Sequence, residues 1–296
     1  MKFDVLVLTY NESLHLRRFL SRLSGKGVYI YILDSFSDDG CLDEVTGKNI
    51  FILKNRFITQ SAQIQWALKN VPFRSDWVLR LDCDEYIEHG KLKELDKIIS
   101  DNPDIDGVAF KRTFFYRGKL LRFGGNGERS CLRLIKRRAA RIDKSVMDEK
   151  FFVLGQVKKV DVQIIDHSLI STSAWINKHN NYSSREALKY FLNKYDFLFE
   201  GRKEFFDTPR SFYYSAPPFL RAFLLFFYRL IIKGGFLDGR RGFEFLLLQC
   251  LVYRLIVDWK IAWGVWFITQ SQTFDKRKFL VGLGVSPNLI RALCND

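Results

Sequence analysis

The chain has 296 residues, enough for one α/β core with a sizeable interior and a smaller appendage. Its 47 Lys and Arg against 33 Asp and Glu give a formal charge of +14 and a pI near 9.5, which turns attention to anionic partners. Five scattered cysteines with no C-x-x-C argue against a disulfide framework and for a reducing compartment, and the opening Met1-Lys2-Phe3-Asp4 runs straight into an apolar stretch, so no signal peptide is expected.

Phe3-Asp4-Val5-Leu6-Val7-Leu8 reads as a buried strand that stops at Thr9-Tyr10-Asn11-Glu12. Leu14, Leu16, Phe19, Leu20 and Leu23 follow with helical spacing, interleaved with Arg17, Arg18 and Arg22, and Gly25 and Gly27 end the pattern. A second strand, Val28 to Leu33, ends in Asp34. The polar turn from Ser35 to Gly40 is expected to lead into another short helix. Ile50-Phe51-Ile52-Leu53 is a third strand, Thr59 to Lys69 a helix, and Trp77-Val78-Leu79-Arg80-Leu81 a fourth strand ending in Asp82-Cys83-Asp84-Glu85. This alternation predicts an α/β fold with a mostly parallel sheet flanked by helices.

The polar residues gather at strand ends, where open α/β sheets bind ligands. Asp82 and Asp84 lie two apart, so on an extended segment they face the same side, with Cys83 turned into the sheet. Two such carboxylates suit a hard divalent cation that in turn holds phosphates. The bland alternative is a helix N-terminus decorated with acids. Asp34 is placed to hydrogen-bond a base or ribose, or else simply forms a turn. There is no G-x-G-x-x-G after the first strand and no G-x-x-x-x-G-K-[ST], so neither an NAD fingerprint nor a P-loop is present.

Leu8-Thr9-Tyr10-Asn11-Glu12, Leu33-Asp34-Ser35-Phe36-Ser37-Asp38-Asp39-Gly40 and Leu81-Asp82-Cys83-Asp84-Glu85 together resemble, in this order, the three N-terminal motifs of family 2 glycosyltransferases. Lys178 to Ala187 and Gly234 to Gly239 resemble segments of the members that build bacterial envelope polysaccharides and lipopolysaccharide. The resemblance implies a GT-A, Rossmann-like fold over residues 1–200. It implies a nucleotide-sugar pocket lined by Thr9, Tyr10, Asn11, Glu12, Asp34 and Asp82. Asp84 and Asp82 would hold Mn²⁺ or Mg²⁺, with His167 as a further metal or diphosphate contact. Phe36 departs from the family pattern, which more often has a small residue there. An inverting transfer needs a carboxylate to take the acceptor proton. The candidates are Asp148 and Glu149, and the resemblance favours Glu149; two solvated loop acids are the alternative.

Between Lys111 and Arg141 eleven Lys or Arg face a single acid, Glu128. The run suits acceptor phosphates or anionic headgroups, or is a solvated basic face. Nucleic-acid binding is the weaker reading, because no such module is recognisable and the strand-end acids would repel phosphate. After Pro217-Pro218 the chain becomes very apolar, but Arg221, Arg229, Glu244, Arg254, Asp258 and Lys260 interrupt it, so no simple spanning helix is expected. Trp259, Trp263 and Trp266 at helical spacing suit a membrane interface. Residues 201–296 are therefore expected to form an amphipathic helical region, either on a membrane surface or packed on protein. The expected function is metal-dependent, inverting glycosyl transfer from a nucleoside-diphosphate sugar to a lipid-linked or lipopolysaccharide acceptor, peripherally on the cytoplasmic face of a bacterial inner membrane. The alternatives are a nucleotidyltransferase, which lacks the glycine-rich basic loop it would need, and a non-catalytic membrane-surface scaffold.

Overall fold

The structure is a computed structural model describing residues 1–23, 26–88, 90–143, 145–147, 151–199, 208–270 and 273–294. The chain forms two compact units. One runs from Met1 to Arg122 and on through the strands that end at Leu169; the other is Ile170 onward, joined by Phe123–Gly125 and the loop at Ser145. The sequence predicts the boundary after residue 200.

In the first unit, β1 (Phe3–Thr9), α1 (Leu16–Leu23), β2 (Ile30–Asp34), β3 (Ile50–Lys54), α2 (Gln60–Asn70) and β4 (Trp77–Asp82) follow the expected alternation. Then come β5 (Glu85–Ile87), α3 (Leu92–Asp101), β6 (Ile105–Tyr116), β7 (Lys119–Leu121), β8 (Arg129–Lys136), β9 (Ala140–Ile142), β10 (Phe151–Val153) and β11 (Gln156–Ser168). The sheet order is β3-β2-β1-β4-β8-β6-β11-β5, with β7 on β6. Strands β3, β2, β1 and β4 are parallel, as are β6 and β11; β8 joins the two groups antiparallel to both neighbours.

Both faces of the parallel part are covered, as continuous apolar runs require. Val5, Val7, Ile30, Ile32, Leu79 and Leu81 pack on one face against Leu16, Phe19 and Leu23 of α1 and Leu95 and Ile99 of α3. The residues between them, Leu6, Tyr31, Leu33 and Val78, pack on the other face against Ala67 and Val71 at α2. This is the period-two alternation of a strand. Thr59 caps α2, its side chain accepting from the Ala62 N–H at 3.1 Å.

The short helix expected after Gly40 does not form. Residues 41–44 make turns instead, with i→i+3 bonds from Asp43 to Gly40 and Val45 to Leu42. Asp39 is spent on this loop, accepting from the Ser13 and Cys41 N–H groups, and Gly47 has φ +152.

The second unit is helical: α4 (Thr172–Lys194), α5 (Thr208–Ser215), α6 (Leu220–Phe227), α7 (Gly239–Leu246), α8 (Tyr253–Gln270), α9 (Lys276–Gly282) and α10 (Pro287–Cys294), with π-helical turns at Tyr228–Ile232 and Leu247–Val252. Phe191 of α4 lies against Gly264 of α8, where a Cβ would come within 2.4 Å of its ring, and meets Phe279 of α9 edge-on at 5.0 Å. Buried charges are paired across these helices, as they must be. Glu186 of α4 accepts from the hydroxyls of Tyr253 (2.5 Å) and Tyr214 (2.9 Å) and from Arg254, while Arg221 of α6 forks onto Asp258 of α8. Among the described residues no helix is long and apolar enough to cross a membrane. Of the three tryptophans in α8, Trp259 and Trp266 are exposed, whereas Trp263 stacks on Phe279 at 6.0 Å; the expectation of a common interfacial row fails at Trp263 because α9 takes its ring.

Candidate active site

Parallel register assembles the site. β1 pairs with β2 so that Thr9 lies beside Asp34, and with β4 so that Leu8 lies beside Asp82. All three polar residues thus reach the same carboxyl edge of the sheet. Beyond that edge the loops after β1 and β2 interlock. The Asn11 N–H donates to Ser37 Oγ (2.9 Å), Asn11 Nδ2 donates to Asp38 Oδ1 (2.8 Å), and the Asp38 N–H donates back to Asn11 Oδ1 (3.0 Å). Asn11 tolerates the left-handed backbone this needs (φ 54); Phe36 adopts it too (φ 65), which is unusual for a bulky residue.

Asp34 is fully buried and accepts four bonds: Thr9 Oγ1 (3.1 Å) and Ser37 Oγ (2.5 Å) on one oxygen, and the Phe36 (2.9 Å) and Ser37 (3.0 Å) N–H groups on the other. It therefore holds the loop together. Tyr10, at 60% exposure, and Phe36 stand out from the same edge. Glu12 bonds His15, a residue that no sequence motif marks. His15 Nε2 accepts from the Leu169 N–H (2.8 Å), which leaves Nδ1 as the donor to Glu12 Oε2 (2.6 Å). His15 so ties the loop after β1 to the end of β11.

The Asp82-x-Asp84 segment departs from expectation. Cys83 and Asp84 lie in a turn between β4 and β5, so strand alternation does not align the two acids. Cys83 does pack into the core as anticipated. Asp82 accepts from both terminal nitrogens of Arg80 (2.7 and 3.1 Å) and from Arg133 at 3.5 Å. Burial works against its charge, but Arg80, Arg133 and Arg112 overcome it and hold the carboxyl at about 2. Asp82 is thus a carboxylate compensated by arginines.

Asp84, half-buried, is brought to β11 by its backbone: the His167 N–H donates to the Asp84 carbonyl at 2.9 Å. β5 pairs with β11 so that Glu85 lies opposite Asp166. Burial, then the neighbouring Asp84 carboxylate, raises the Asp166 pKa, against the pull of Arg112, whose Nη2 donates to Asp166 at 2.5 Å. The fully buried Glu85 is held by Arg133 (2.6 Å) and Arg112 (3.1 Å). Arg80 of β4, Arg112 from within β6 and Arg133 from within β8 therefore meet four carboxylates at the end of β4, the turn after it, the start of β5 and the end of β11. Arg80, Arg112, Arg133, Glu85 and Asp166 were not singled out from the sequence. Arg112 and Arg133 belong to the basic run between Lys111 and Arg141; Lys111 and Lys136 of that run are also paired, with Asp161 (2.8 Å) and Asp106 (3.4 Å). The run is to that extent paired.

The His167 ring packs on Phe115 (5.5 Å between centroids), its pKa lowered by burial and by Arg18 and His15. No group of three or more His, Cys, Asp or Glu side chains able to hold a metal occurs among the described residues. Asp84 and Asp166, brought together by the bond from the His167 N–H to the Asp84 carbonyl, are the carboxylates that could hold a Mg²⁺ or Mn²⁺ taking its remaining ligands from substrate phosphates and water, with Arg112 already on one oxygen of Asp166. Asp148 and Glu149 lie outside the described residues. Just before them, Lys189 Nζ of α4 donates to Ser145 Oγ (2.6 Å) and to the Met147 carbonyl (3.2 Å).

A family profile described as glycosyl transferase family 2 matches residues 4–151, half of the chain. No protein of curated function matches by sequence. Among solved structures, S. aureus TarS 1–349 in complex with UDP is similar at 13% identity over 93% of this chain and 94% of that one, with a TM-score of 0.44. The same protein in complex with UDP-GlcNAc gives 13% identity, 93% and 94% coverage and a TM-score of 0.42. GalNAc-T7 with UDP, GalNAc and Mn²⁺ gives 14% identity over 54% of this chain and 30% of that one, with a TM-score of 0.35.

Proposed function

The chain belongs to glycosyl transferase family 2 and is a glycosyltransferase, and from that premise we propose that it moves a sugar, with inversion, from a nucleoside-diphosphate sugar to a hydroxyl of a lipid-linked or lipopolysaccharide acceptor, working on the cytoplasmic face of a bacterial inner membrane. The observation that carries the donor half is the parallel register that brings Thr9, Asp34 and Asp82 to one sheet edge. The interlocked loop of Asn11, Ser37 and Asp38 forms the wall against which the nucleoside lies, and Asp34 keeps that wall in shape. Glu12, fixed by His15, borders the same pocket.

Asp84, with Asp166 beside it, would hold Mn²⁺ or Mg²⁺, whose chemistry is to neutralise the diphosphate as it leaves. Asp82 is already committed to Arg80 and Arg133, so its part is to anchor those arginines at the donor edge. Glu149 takes the proton of the acceptor hydroxyl as that oxygen bonds the anomeric carbon and the bond from that carbon to the diphosphate oxygen breaks.

Glu149→Gln is the test. Turnover should fall by about 10²-fold or more, the usual worth of a positioned base, while calorimetric donor binding stays intact. Nucleoside diphosphate should be the released product; pyrophosphate would mean nucleotidyl transfer instead. Undiminished turnover in the variant would discard Glu149 as the base.

A further inference from the structure

The apolar surface of the second unit is concentrated between Phe219 and Trp259, and the acids of that stretch are buried or paired. Leu220, Leu224, Phe227 and Ile231 follow one another at steps of four, three and four, so they form a single stripe along α6 and the π-turn after it, and all four are exposed. Ile232 stands beside the stripe at 73% exposure, and Phe236 and Leu237 continue it beyond Gly234. The opposite side of the same helix is the buried one: Arg221 is locked onto Asp258, and Ala222 and Phe226 are covered. The stripe is therefore not the core face of a helix left bare. Phe219 meets Trp259 of α8 edge-on at 6.4 Å, so the 71%-exposed indole of Trp259 extends the same surface.

The charges around this surface are sorted. Between Phe219 and Ile268 there are three acids. Asp238 is buried and accepts from the Phe123 N–H, Asp258 is buried on Arg221, and Glu244 is held by Arg240 (3.0 Å) and Arg241 (2.9 Å). Lys233 and Arg240 point outward, Lys233 directly after the stripe and within 5.6 Å of the Tyr228 ring centroid. Exposed aliphatic and aromatic side chains bordered by cations, with each acid between Phe219 and Ile268 internal or paired, complement an anionic lipid surface. An apolar contact with a second protein would not need the acids withdrawn.

We propose that the stripe from Leu220 to Ile232, with Phe236, Leu237 and Trp259, is a monotopic docking face that sinks into the interfacial layer of an anionic bilayer, with Lys233 and Arg240 at the headgroups. The inference rests on the proposed function only for why such a surface is met; the face itself stands on exposure and charge.

The test is co-sedimentation of the full chain with vesicles of phosphatidylcholine alone or with about one third phosphatidylglycerol. The wild-type chain should bind the anionic vesicles, and binding should weaken on raising salt. Ile231→Glu with Ile232→Glu should reduce binding about tenfold or more, because two charges would enter the apolar layer. Lys233→Glu should weaken binding to anionic vesicles specifically. Val157→Glu, at an exposed apolar site in the first unit, should leave binding unchanged. The paired Ile positions are solvent-facing, so an unchanged melting temperature confirms that the variant is folded. Wild-type binding indifferent to phosphatidylglycerol, or a double variant that binds like wild type, overturns the proposal. So does a wild-type dimer in sedimentation velocity that the double variant turns into a monomer, since the face would then belong to a second copy. Donor hydrolysis measured without vesicles reads the transferase assignment separately, so loss of one result leaves the other standing.

Discussion

Four donors converge on the Asp34 carboxylate, and no solvent reaches it. Deleting that carboxylate leaves two backbone N–H groups and two hydroxyls without their acceptor, at a cost of about 1–3 kcal/mol. Asp34→Ala should lower the urea midpoint accordingly, and the loss should appear even without donor; a stability loss seen only in donor-bound protein would make Asp34 a ligand contact and not a loop anchor. Two residues on, Phe36 is held at φ 65 with its ring exposed. A left-handed backbone costs an L-residue about 1–2 kcal/mol, against about 0.5–1 kcal/mol of chain entropy for glycine. Phe36→Gly should thus melt at the same temperature or slightly higher, and any change in donor KM then reports on the ring at the mouth of the pocket, free of a folding defect.

At the scale of the element, α4 carries a pH-sensitive position. His179 stacks on Trp175 at 3.6 Å, its Nδ1–H donates to the Trp175 carbonyl, and Tyr253 and Tyr182 close around it. Burial pushes its pKa down to about 4, helped by Lys178 and opposed by the Trp175 carbonyl. A histidine with a depressed folded pKa contributes stability that is complete above its ordinary value near 6.5 and is lost as pH falls toward 4. Partial exposure discounts the full linkage, leaving a loss of about 1–2 kcal/mol between pH 7.5 and pH 5. His179→Phe keeps the stack and removes the proton, so its melting temperature should fall less over that interval than the wild type; equal slopes would place the acid sensitivity elsewhere. Elements of this kind differ in how far the sequence announces them. β1, β2 and β4 were legible because a run such as Val5-Leu6-Val7 is buried on both faces, and the strand-end positions of Thr9, Asp34 and Asp82 followed from βα alternation. The turn after Gly40 was not, because what decides it is Asp39 accepting from Ser13, across a distance in sequence that local propensity does not register. Arg133 on Glu85, Arg112 on Asp166 and His15 on Leu169 were hidden for the same reason: each pair is fixed by strand order and not by spacing.

For the molecule as a whole, the +14 charge does not translate into a uniform basic coat. Arg80, Arg112 and Arg133 spend their charge on Asp82, Glu85 and Asp166, while Lys233 and Arg240 stand outward in the helical unit. The inward set has a consequence for ligand binding. The arginine-paired Asp82, Glu85 and Asp166 repel a diphosphate little, and a cation at Asp84 would draw the diphosphate in. Donor affinity should therefore depend on the cation, and anything that binds only the native state stabilises it by mass action. A nucleoside-diphosphate sugar at about a hundredfold its Kd adds about 2.7 kcal/mol, which is several degrees of melting temperature for a chain of this size. A thermal-shift series with UDP, GDP, CMP and dTDP sugars should show this increment for one nucleotide class with Mn²⁺ and most of it gone in EDTA. In Asp84→Ala the Mn²⁺-dependent part should vanish while the cation-independent remainder persists. If the shift is the same with Mn²⁺ and with EDTA, the arginines alone suffice to hold the diphosphate and the two-carboxylate site has no part in donor binding.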